Sequence, residues 1–201
     1  MRLTAALLLL LTLSGCGGDS PRLDAISTDA KILAFGDSLT YGSGVKKEQS
    51  YPSQLSKLIN RTIINAGLPG ELSGDGLARL PALLDRHKPE LMILIHGGND
   101  MLRKKDVNSA AENLRGMIRE AQNRNIDVVM MAVPNPTLIL SPAGFYKEVA
   151  EEMNIPIEVD AIADILQYPA NKSDSVHPNE KGYALMAESL AALLKTSGAL
   201  R

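Results

Sequence analysis

The sequence predicts an α/β fold built on a parallel β-sheet. Five short apolar runs, each a candidate strand, alternate along the chain with stretches of helical periodicity. The middle runs are apolar at nearly every position, as expected for strands that are covered on both faces. Such alternation requires crossover connections, which are right-handed in parallel sheets. A chain of 201 residues is long enough for one such domain with a sizeable core, and short for two.

The candidate strands are rich in Ile, Leu, Val and Met. They occupy residues 31–35, 62–65, 91–95, 128–133 and 155–159. Runs of this length are typical of strands, whereas the periodic stretches between them are long enough for helices.

The candidate helices carry apolar residues at intervals of three and four. They occupy residues 51–60, 75–87, 108–124, 144–153 and 179–195. In the last of these, Tyr183, Met186 and Leu190 predict one buried stripe. Asn108 or Ser109 is expected to cap the third helix, because short polar side chains accept hydrogen bonds from the first free N–H groups.

The N-terminus predicts an export signal. Residues 3–13 are apolar apart from two threonines and follow Arg2. These eleven residues would rise about 16 Å as a helix, against about 30 Å for a bilayer core, so a signal peptide is predicted and not a membrane span. The signal ends in Leu13-Ser14-Gly15-Cys16, which resembles the bacterial lipobox. The alternative is an ordinary secretory signal with an incidental cysteine.

In lipobox proteins the cysteine is acylated and becomes the first mature residue. The resemblance therefore implies a signal peptide at 1–15, a lipidated tether at 16–30 and a folded domain at 31–201. In Gram-negative lipoproteins, an Asp after the cysteine tends to retain the protein at the inner membrane. Here that residue is Gly17. We therefore expect a protein of the bacterial cell envelope, anchored by lipid in the outer membrane and facing the periplasm.

The composition excludes several classes of function. Lys and Arg number 21 against 23 Asp and Glu, a net charge of -2, which makes a nucleic-acid partner a poor hypothesis. Two Phe, five Tyr and no Trp argue against stacking platforms for bases or sugars. The single cysteine excludes a disulfide and a cysteine-based metal site within one chain.

Polar clusters follow the first three candidate strands, and a fourth precedes the last helix. They are Gly36-Asp37-Ser38, Pro69-Gly70, Gly97-Gly98-Asn99-Asp100 and Asp174-Ser175-Val176-His177. Binding crevices in such sheets lie beyond the carboxyl ends of the strands. A serine needs a base to become a nucleophile, histidine is the usual base, and a carboxylate sets its tautomer. Ser38, His177 and Asp174 supply these groups, while Asn99 and the N–H of Gly70 are candidate oxyanion donors.

These four clusters, in this order, resemble the SGNH (GDSL) hydrolase family. The closer resemblance is to its lysophospholipase L1, thioesterase I and arylesterase branch, over residues 31–194. The resemblance implies that Ser38 is the nucleophile, His177 the base and Asp174 its orienting partner. It further implies an oxyanion hole made of the Ser38 N–H, the Gly70 N–H and the Asn99 amide.

The same resemblance implies a three-layer α/β/α sandwich with a five-stranded parallel sheet, the flavodoxin-like SGNH hydrolase fold, without metal or cofactor. The second cluster departs from the family. Related members often read Ser-Gly-Asp-Thr-Ser where this chain has Pro69-Gly70-Glu71-Leu72-Ser73. Pro69 lacks an N–H and stiffens the approach to Gly70. Gly67 and Gly74 are the competing assignments.

Other residues compete for roles in the site. His87 is expected at a helix end, and His96 is expected to pack at a strand end, although it could touch the site. Asp37 and Asp100 are interpreted as residues that fix their loops. The run Arg103-Lys104-Lys105 is interpreted as a solvated face, with contact to an anionic headgroup as the alternative. Leu138, Ile139 and Leu140, between prolines, are either packing under a loop or a wall or lid of an acyl pocket.

The sequence thus predicts a serine esterase that cleaves small acyl esters or thioesters through an acyl-enzyme. One alternative is an esterase for O-acetyl groups of carbohydrate or cell wall, a type that the family includes. Another is a lipoprotein that uses the same fold only to bind a ligand.

Overall fold

The structure, a computed structural model, describes residues 21–137 and 140–200. The predicted signal peptide, the lipidation site Cys16 and the possible pocket residues Leu138 and Ile139 lie outside the described residues. Within the described part of the chain, no helix is long and apolar enough to cross a bilayer.

The predicted parallel sheet of five strands is confirmed. The strands are β1 (Lys31–Gly36), β2 (Thr62–Gly67), β3 (Leu91–Ile95), β4 (Asp127–Met131) and β5 (Ile157–Glu158). All pairs are parallel and the order is β2-β1-β3-β4-β5, the flavodoxin-like order. Every residue of the central strand β3 is buried, which explains why its sequence is continuously apolar.

The five predicted helices are present, each within two residues of its expected bounds. They are α2 (Tyr51–Ile59), α3 (Ser73–His87), α5 (Val107–Gln122), α6 (Phe145–Glu152) and α8 (Glu180–Thr196). The predicted cap of α5 was wrong. Asp106 caps it by accepting hydrogen bonds from the N–H groups of Asn108 and Ser109.

Three short helices were not predicted. They are α1 (Ser38–Tyr41), α4 (Gly98–Leu102) and α7 (Ala161–Gln167). With seven residues or fewer, none completes the two turns that make a helical period visible in a sequence. Two of them, α1 and α4, follow strand ends directly and carry residues of the candidate site.

Two groups of helices cover the sheet. Helix α2 packs against α8, which also contacts α7, while α3 packs against α5, which also contacts α6. The strand order explains this division. The chain reverses direction across the sheet after β2, so right-handed crossovers place α3, α5 and α6 on the face opposite α2, whereas α7 and α8 follow the last strand and return to the face of α2. The core between these layers includes the fully buried Phe35, Tyr51, Tyr146 and Tyr183.

Residues 21–30, the described part of the predicted tether, lie against the domain. The N–H groups of Leu23 and Ile26 donate to the carbonyls of Ser197 and Ala199 at 2.8 and 3.0 Å. The hydroxyl of Ser27 donates to the carboxylate of Glu90, which precedes β3. The segment therefore runs along the amino edge of the sheet, with Leu23 and Ile26 packed against the core.

Candidate active site

The carboxyl edge of the sheet brings together three of the predicted clusters. Ser38 begins α1, separated by one residue from the end of β1, and Asn99 lies in α4, which is separated by two residues from the end of β3. His177 comes from the loop that precedes α8. All three line one cavity. Ser38 and Asn99 lie close together because β1 and β3 are neighbours in the sheet.

Ser38, His177 and Asp174 form a continuous chain of hydrogen bonds. The Ser38 Oγ lies 2.9 Å from His177 Nε2, and His177 Nδ1 lies 2.8 Å from Asp174 Oδ2. A carboxylate can only accept, so Nδ1 is assigned the ring proton and Nε2 is left to accept from the serine hydroxyl. In this tautomer, His177 can act as a base toward Ser38.

Asp174 is held in position by its own loop. Its Oδ1 accepts from the N–H groups of Val176 and His177, both at 2.8 Å. Burial alone would raise the pKa of Asp174, but the hydrogen bonds from His177 and from the two backbone groups outweigh it, so the pKa lies below its usual value. At neutral pH the group facing His177 is therefore a carboxylate.

Asp37 fixes the loop that carries Ser38, as predicted, and also contacts Asn99. One carboxylate oxygen accepts from the N–H of Leu39 at 3.1 Å, and the other accepts from the Asn99 amide at 3.2 Å. Burial raises the pKa of Asp37, although His96, the Leu39 N–H and His177 act in the opposite direction. The bond to Asp37 uses one proton of the Asn99 amide and leaves the other for the cavity.

Gly70 sits on a tight turn beyond β2. The N–H of Glu71 donates to the Leu68 carbonyl at 3.2 Å, and Gly70 has a φ of 79°. Proline second and a positive-φ glycine third are typical of a type II turn, so Pro69 helps to set the conformation of Gly70. Of the competing glycines, Gly67 ends β2 and Gly74 lies within α3.

Gly70 does not itself line the cavity that holds Ser38, Asn99 and His177. Its carbonyl accepts a hydrogen bond from the Arg103 guanidinium at 2.9 Å, which joins the turn to the segment after Asn99. Arg103, Lys104 and Lys105 are all exposed, in agreement with the interpretation as a solvated face.

The cavity has a volume of about 310 Å³ and is mostly apolar beyond the polar groups at Ser38. Its apolar lining comprises Leu39, Leu102, Val133, Leu140, Leu166 and Val176. Of these, only Leu140 was predicted from the sequence as a pocket residue. Leu166 lies on α7, which the sequence did not predict, and Val133 was predicted to be the last residue of the fourth strand.

The loop after β4 forms one wall of this cavity. Its base is closed by a bridge between Pro134 and Pro142 and by a 2.9 Å hydrogen bond from the Asn135 N–H to the Ser141 carbonyl. Residues 134–137 and Leu140 line the cavity. Leu140 also packs against the core, so the one described member of Leu138–Leu140 agrees with both interpretations.

The competing residues have structural roles. His96 is fully buried at the end of β3 and does not line the cavity, and His87 ends α3. The Asp100 carboxylate accepts from the N–H and hydroxyl of Ser73 at 2.9 and 2.8 Å, which fixes the start of α3. Asp100 thus fixes its loop, as predicted. Within residues 21–137 and 140–200, no group of three or more His, Cys, Asp or Glu side chains could hold a metal ion.

Comparison with known proteins adds to this geometry. The model of the GDSL-like Lipase/Acylhydrolase family matches residues 34–185, which include all five residues of the predicted triad and oxyanion hole. An arylesterase of Vibrio mimicus is 32% identical over 178 residues, covering 83% of this chain and 89% of the relative.

A second relative is thioesterase 1/protease 1/lysophospholipase L1 of Escherichia coli K12. It is 28% identical over 172 residues, covering 82% of this chain and 83% of its own length. Among solved structures, the psychrotrophic esterase EstA of a Pseudoalteromonas species, inhibited by monoethylphosphonate, matches with a TM-score of 0.74 and 28% identity. The match covers 83% of this chain and 97% of EstA.

Proposed function

Since this chain belongs to the GDSL-like Lipase/Acylhydrolase family, we propose that it hydrolyses acyl esters and thioesters with Ser38 as nucleophile. The family and its esterase relatives make the protein a carboxylic ester hydrolase. The observation that carries the assignment of residues is the hydrogen-bonded chain from Asp174 through His177 to Ser38, with distances of 2.8 and 2.9 Å. It opens on an apolar cavity, where an acyl chain can lie.

In the proposed acylation step, Ser38 Oγ attacks the substrate carbonyl carbon while its proton passes to His177 Nε2. The carbonyl oxygen becomes an oxyanion, held by the Ser38 N–H and the Asn99 amide, which line the cavity, and by the Gly70 N–H from the turn that is bonded to the end of β1. The bond from carbon to the leaving oxygen or sulfur then breaks, and His177 returns the proton to that atom. Asp174 remains a carboxylate and stabilises the imidazolium.

Deacylation repeats these steps with water. Water attacks the acyl carbon and gives a proton to His177, the bond to Ser38 Oγ breaks, and the proton returns to the serine. The products are a carboxylic acid and the regenerated enzyme.

The acyl-chain preference can be tested with p-nitrophenyl acetate and octanoate. We expect wild-type hydrolysis of both, and Leu140→Trp to lower kcat/KM for octanoate about tenfold with little effect on acetate. The reason is that excluding two methylenes from the cavity costs about 1.6 kcal/mol. Leu58→Trp, at an exposed leucine on α2, is the matched control.

Two results would contradict this assignment of the cavity. One is equal loss on both esters in Leu140→Trp, and the other is a wild-type protein that accepts only acetyl groups. A wild-type protein that accepts only acetyl groups and also releases acetate from acetylated glycans would instead support the alternative function, an esterase for O-acetyl groups of carbohydrate or cell wall.

We also propose that Cys16 carries the lipid anchor and holds the domain at the outer membrane, on its periplasmic side. The lipobox-like sequence Leu13-Ser14-Gly15-Cys16 supports this proposal. The five residues 16–20 can span at most about 18 Å, and residues 21–30 lie along the amino edge of the sheet. Anchored in this way, the protein would direct its carboxyl edge, and Ser38, away from the bilayer that holds it.

Metabolic labelling with palmitate in a Gram-negative host tests the anchor. We expect the wild-type protein to be labelled and to sediment with outer membranes, and Cys16→Ser to be neither labelled nor membrane-bound. Membrane association of Cys16→Ser equal to that of the wild type would contradict anchoring through Cys16.

A further inference from the structure

Glu71, Arg79 and His96 form a polar cluster, here called the buried cluster, which lies beside the candidate site and of which only the Arg79 side chain, at 27% exposed, reaches solvent. Arg79 Nε and Nη2 donate to the two carboxylate oxygens of Glu71 at 2.5 and 2.6 Å, and the Glu71 side chain is only 2% exposed. The fully buried His96 has its Nε2 3.1 Å from Glu71 Oε2. None of the three residues lines the catalytic cavity.

The backbone settles the direction of the bond between His96 and Glu71. The Gly97 N–H donates to His96 Nδ1 at 2.8 Å, so Nδ1 is an acceptor and a neutral ring carries its proton on Nε2. His96 therefore donates to Glu71. Burial alone would raise the pKa of Glu71, but the hydrogen bonds from His96 and Arg79 outweigh it, and the pKa lies below its usual value.

The same guanidinium also binds the ends of β1 and β2. Arg79 Nη2 lies 2.9 Å from the Ala66 carbonyl and 3.3 Å from the Gly36 carbonyl. Its carbon Cζ lies 4.3 Å from the centre of the Phe35 ring, on β1. The buried cluster thus joins the ends of three adjacent strands, because His96 directly follows β3.

Each of these three segments carries one of the proposed oxyanion donors. Glu71 directly follows Gly70, Gly36 lies two residues before Ser38, and Gly97 lies two residues before Asn99. Oxyanion donors act only if they are held within about 0.5 Å of the productive geometry. The Glu71 side chain is 2% exposed and the Arg79 side chain 27%, and replacing such an ion pair by apolar residues of similar volume is often neutral for stability.

We propose that Glu71 is a positioning residue, which together with Arg79 and His96 holds the Gly70 N–H in register with the donors at Ser38 and Asn99. The inference rests on the proposed function, because it concerns the oxyanion hole of the same reaction. Glu71 acts through the turn that it closes and touches no reacting atom.

Glu71→Gln tests this proposal, because it keeps the shape of the side chain and removes its charge. One amide nitrogen would then face the Arg79 guanidinium or His96, and the turn would shift. We expect kcat for p-nitrophenyl butyrate to fall about 10- to 100-fold, less than the 10²- to 10³-fold loss expected when a donor is deleted outright in Asn99→Ala. KM should stay within about threefold, since the ground state does not use the oxyanion hole.

A second measurement reports on the oxyanion hole directly. A boronic acid forms a tetrahedral anionic adduct with a catalytic serine, and its inhibition constant should rise in Glu71→Gln by a factor similar to the loss of kcat. Glu71→Asp keeps the charge on a shorter side chain and should recover part of both losses. If Glu71 contributed only to stability, the folded variant would keep the wild-type inhibition constant, and kcat would not fall at an almost unchanged KM.

Two variants control for stability. Asp85→Asn breaks an exposed ion pair with Arg124, and Ile118→Val trims a buried side chain on α5. Both should retain kcat whatever their change in Tm. A Glu71→Gln protein with lowered Tm but wild-type kcat and boronate inhibition would overturn the proposal, as would a change in KM alone.

If Glu71→Gln does not fold, the same comparison is made on Glu71→Asp, for which an unchanged kcat and inhibition constant would overturn the proposal. Failure of the proposed function has a different signature. It would appear as a wild-type protein without esterase activity, whereas failure of the present inference would leave an active wild type and equally active Glu71 variants.

Discussion

Ser38→Ala should lower kcat for aryl-ester hydrolysis by about a millionfold, the scale of nucleophile removal in other serine hydrolases. The variant loses the oxygen that lies 2.9 Å from His177 Nε2 and with it the acyl-enzyme. The cavity and the oxyanion donors remain, so KM for the residual reaction should change little. The folded state should be unaffected, because the hydroxyl makes no other hydrogen bond with a described residue.

A fluorophosphonate probe supplies the complementary measurement. Wild-type protein should be labelled once, at Ser38, and Ser38→Ala should not be labelled. Ser175→Ala is a matched control, since Ser175 lines the same cavity but has no bond to His177. Labelling of another residue, or retained activity of Ser38→Ala, would show that Ser38 is not the nucleophile.

Asp174→Asn should lower kcat by about 10⁴-fold at neutral pH, as the corresponding change does in serine proteases. The carboxylate accepts the Nδ1 proton of His177 at 2.8 Å, and this bond holds the tautomer in which Nε2 faces Ser38. An amide can present its NH₂ group instead, which selects the opposite tautomer and leaves Nε2 protonated. Steady-state kinetics on a p-nitrophenyl ester measure the loss.

Asp160→Asn serves as the control for this change, because Asp160 is an exposed aspartate whose side chain caps no helix. Activity within tenfold of the wild type in Asp174→Asn would show that Asp174 does not orient the base. Covalent labelling of Ser38 by the fluorophosphonate should slow in parallel with kcat.

The lowered pKa of Asp174 also predicts a pH dependence of stability. A carboxyl whose pKa is lower in the folded state stabilises the fold at pH values above its unfolded pKa, and this stabilisation is lost as the pH falls through the folded pKa. The free energy of unfolding of wild type relative to Asp174→Asn should therefore decline in the acid range. The effect should be small, because the Asp174 side chain is 52% exposed.

Local sequence patterns were sufficient for most of the fold. The continuously apolar run of β3 predicted a strand covered on both faces, and the spacing of Tyr183, Met186 and Leu190 predicted the buried stripe of α8. The short helices α1 and α4 could not be predicted in this way. They depend on the turn of the chain at the sheet edge, and each is too short to show a period.

The candidate site also contains some residues that the sequence predicted and others that it did not. Ser38, Asp174, His177 and Asn99 were predicted as site residues because each stands in a short polar motif and the motifs follow the order of the SGNH family. The loop that carries Asp174 and His177 is closed by bonds between residues only two and three positions apart, so local sequence contains the whole arrangement. Leu166 and Val133 belong to no motif, and their place in the cavity follows only from how α7 and the loop after β4 pack.

By itself, then, the sequence determined the alternation of strands and helices, and it predicted the nucleophile, the base, its acid and the export signal. The alternation and the export signal depend on residues close together in the chain, which leave a local pattern, whereas the catalytic roles were predicted from four separate clusters in the order of a known family. Only the tertiary structure decided that Glu71, Arg79 and His96 form one buried cluster and that residues 21–30 lie along the amino edge. Both arrangements join residues that are distant in sequence, and a contact between distant residues leaves no periodicity or spacing by which one chain could reveal it.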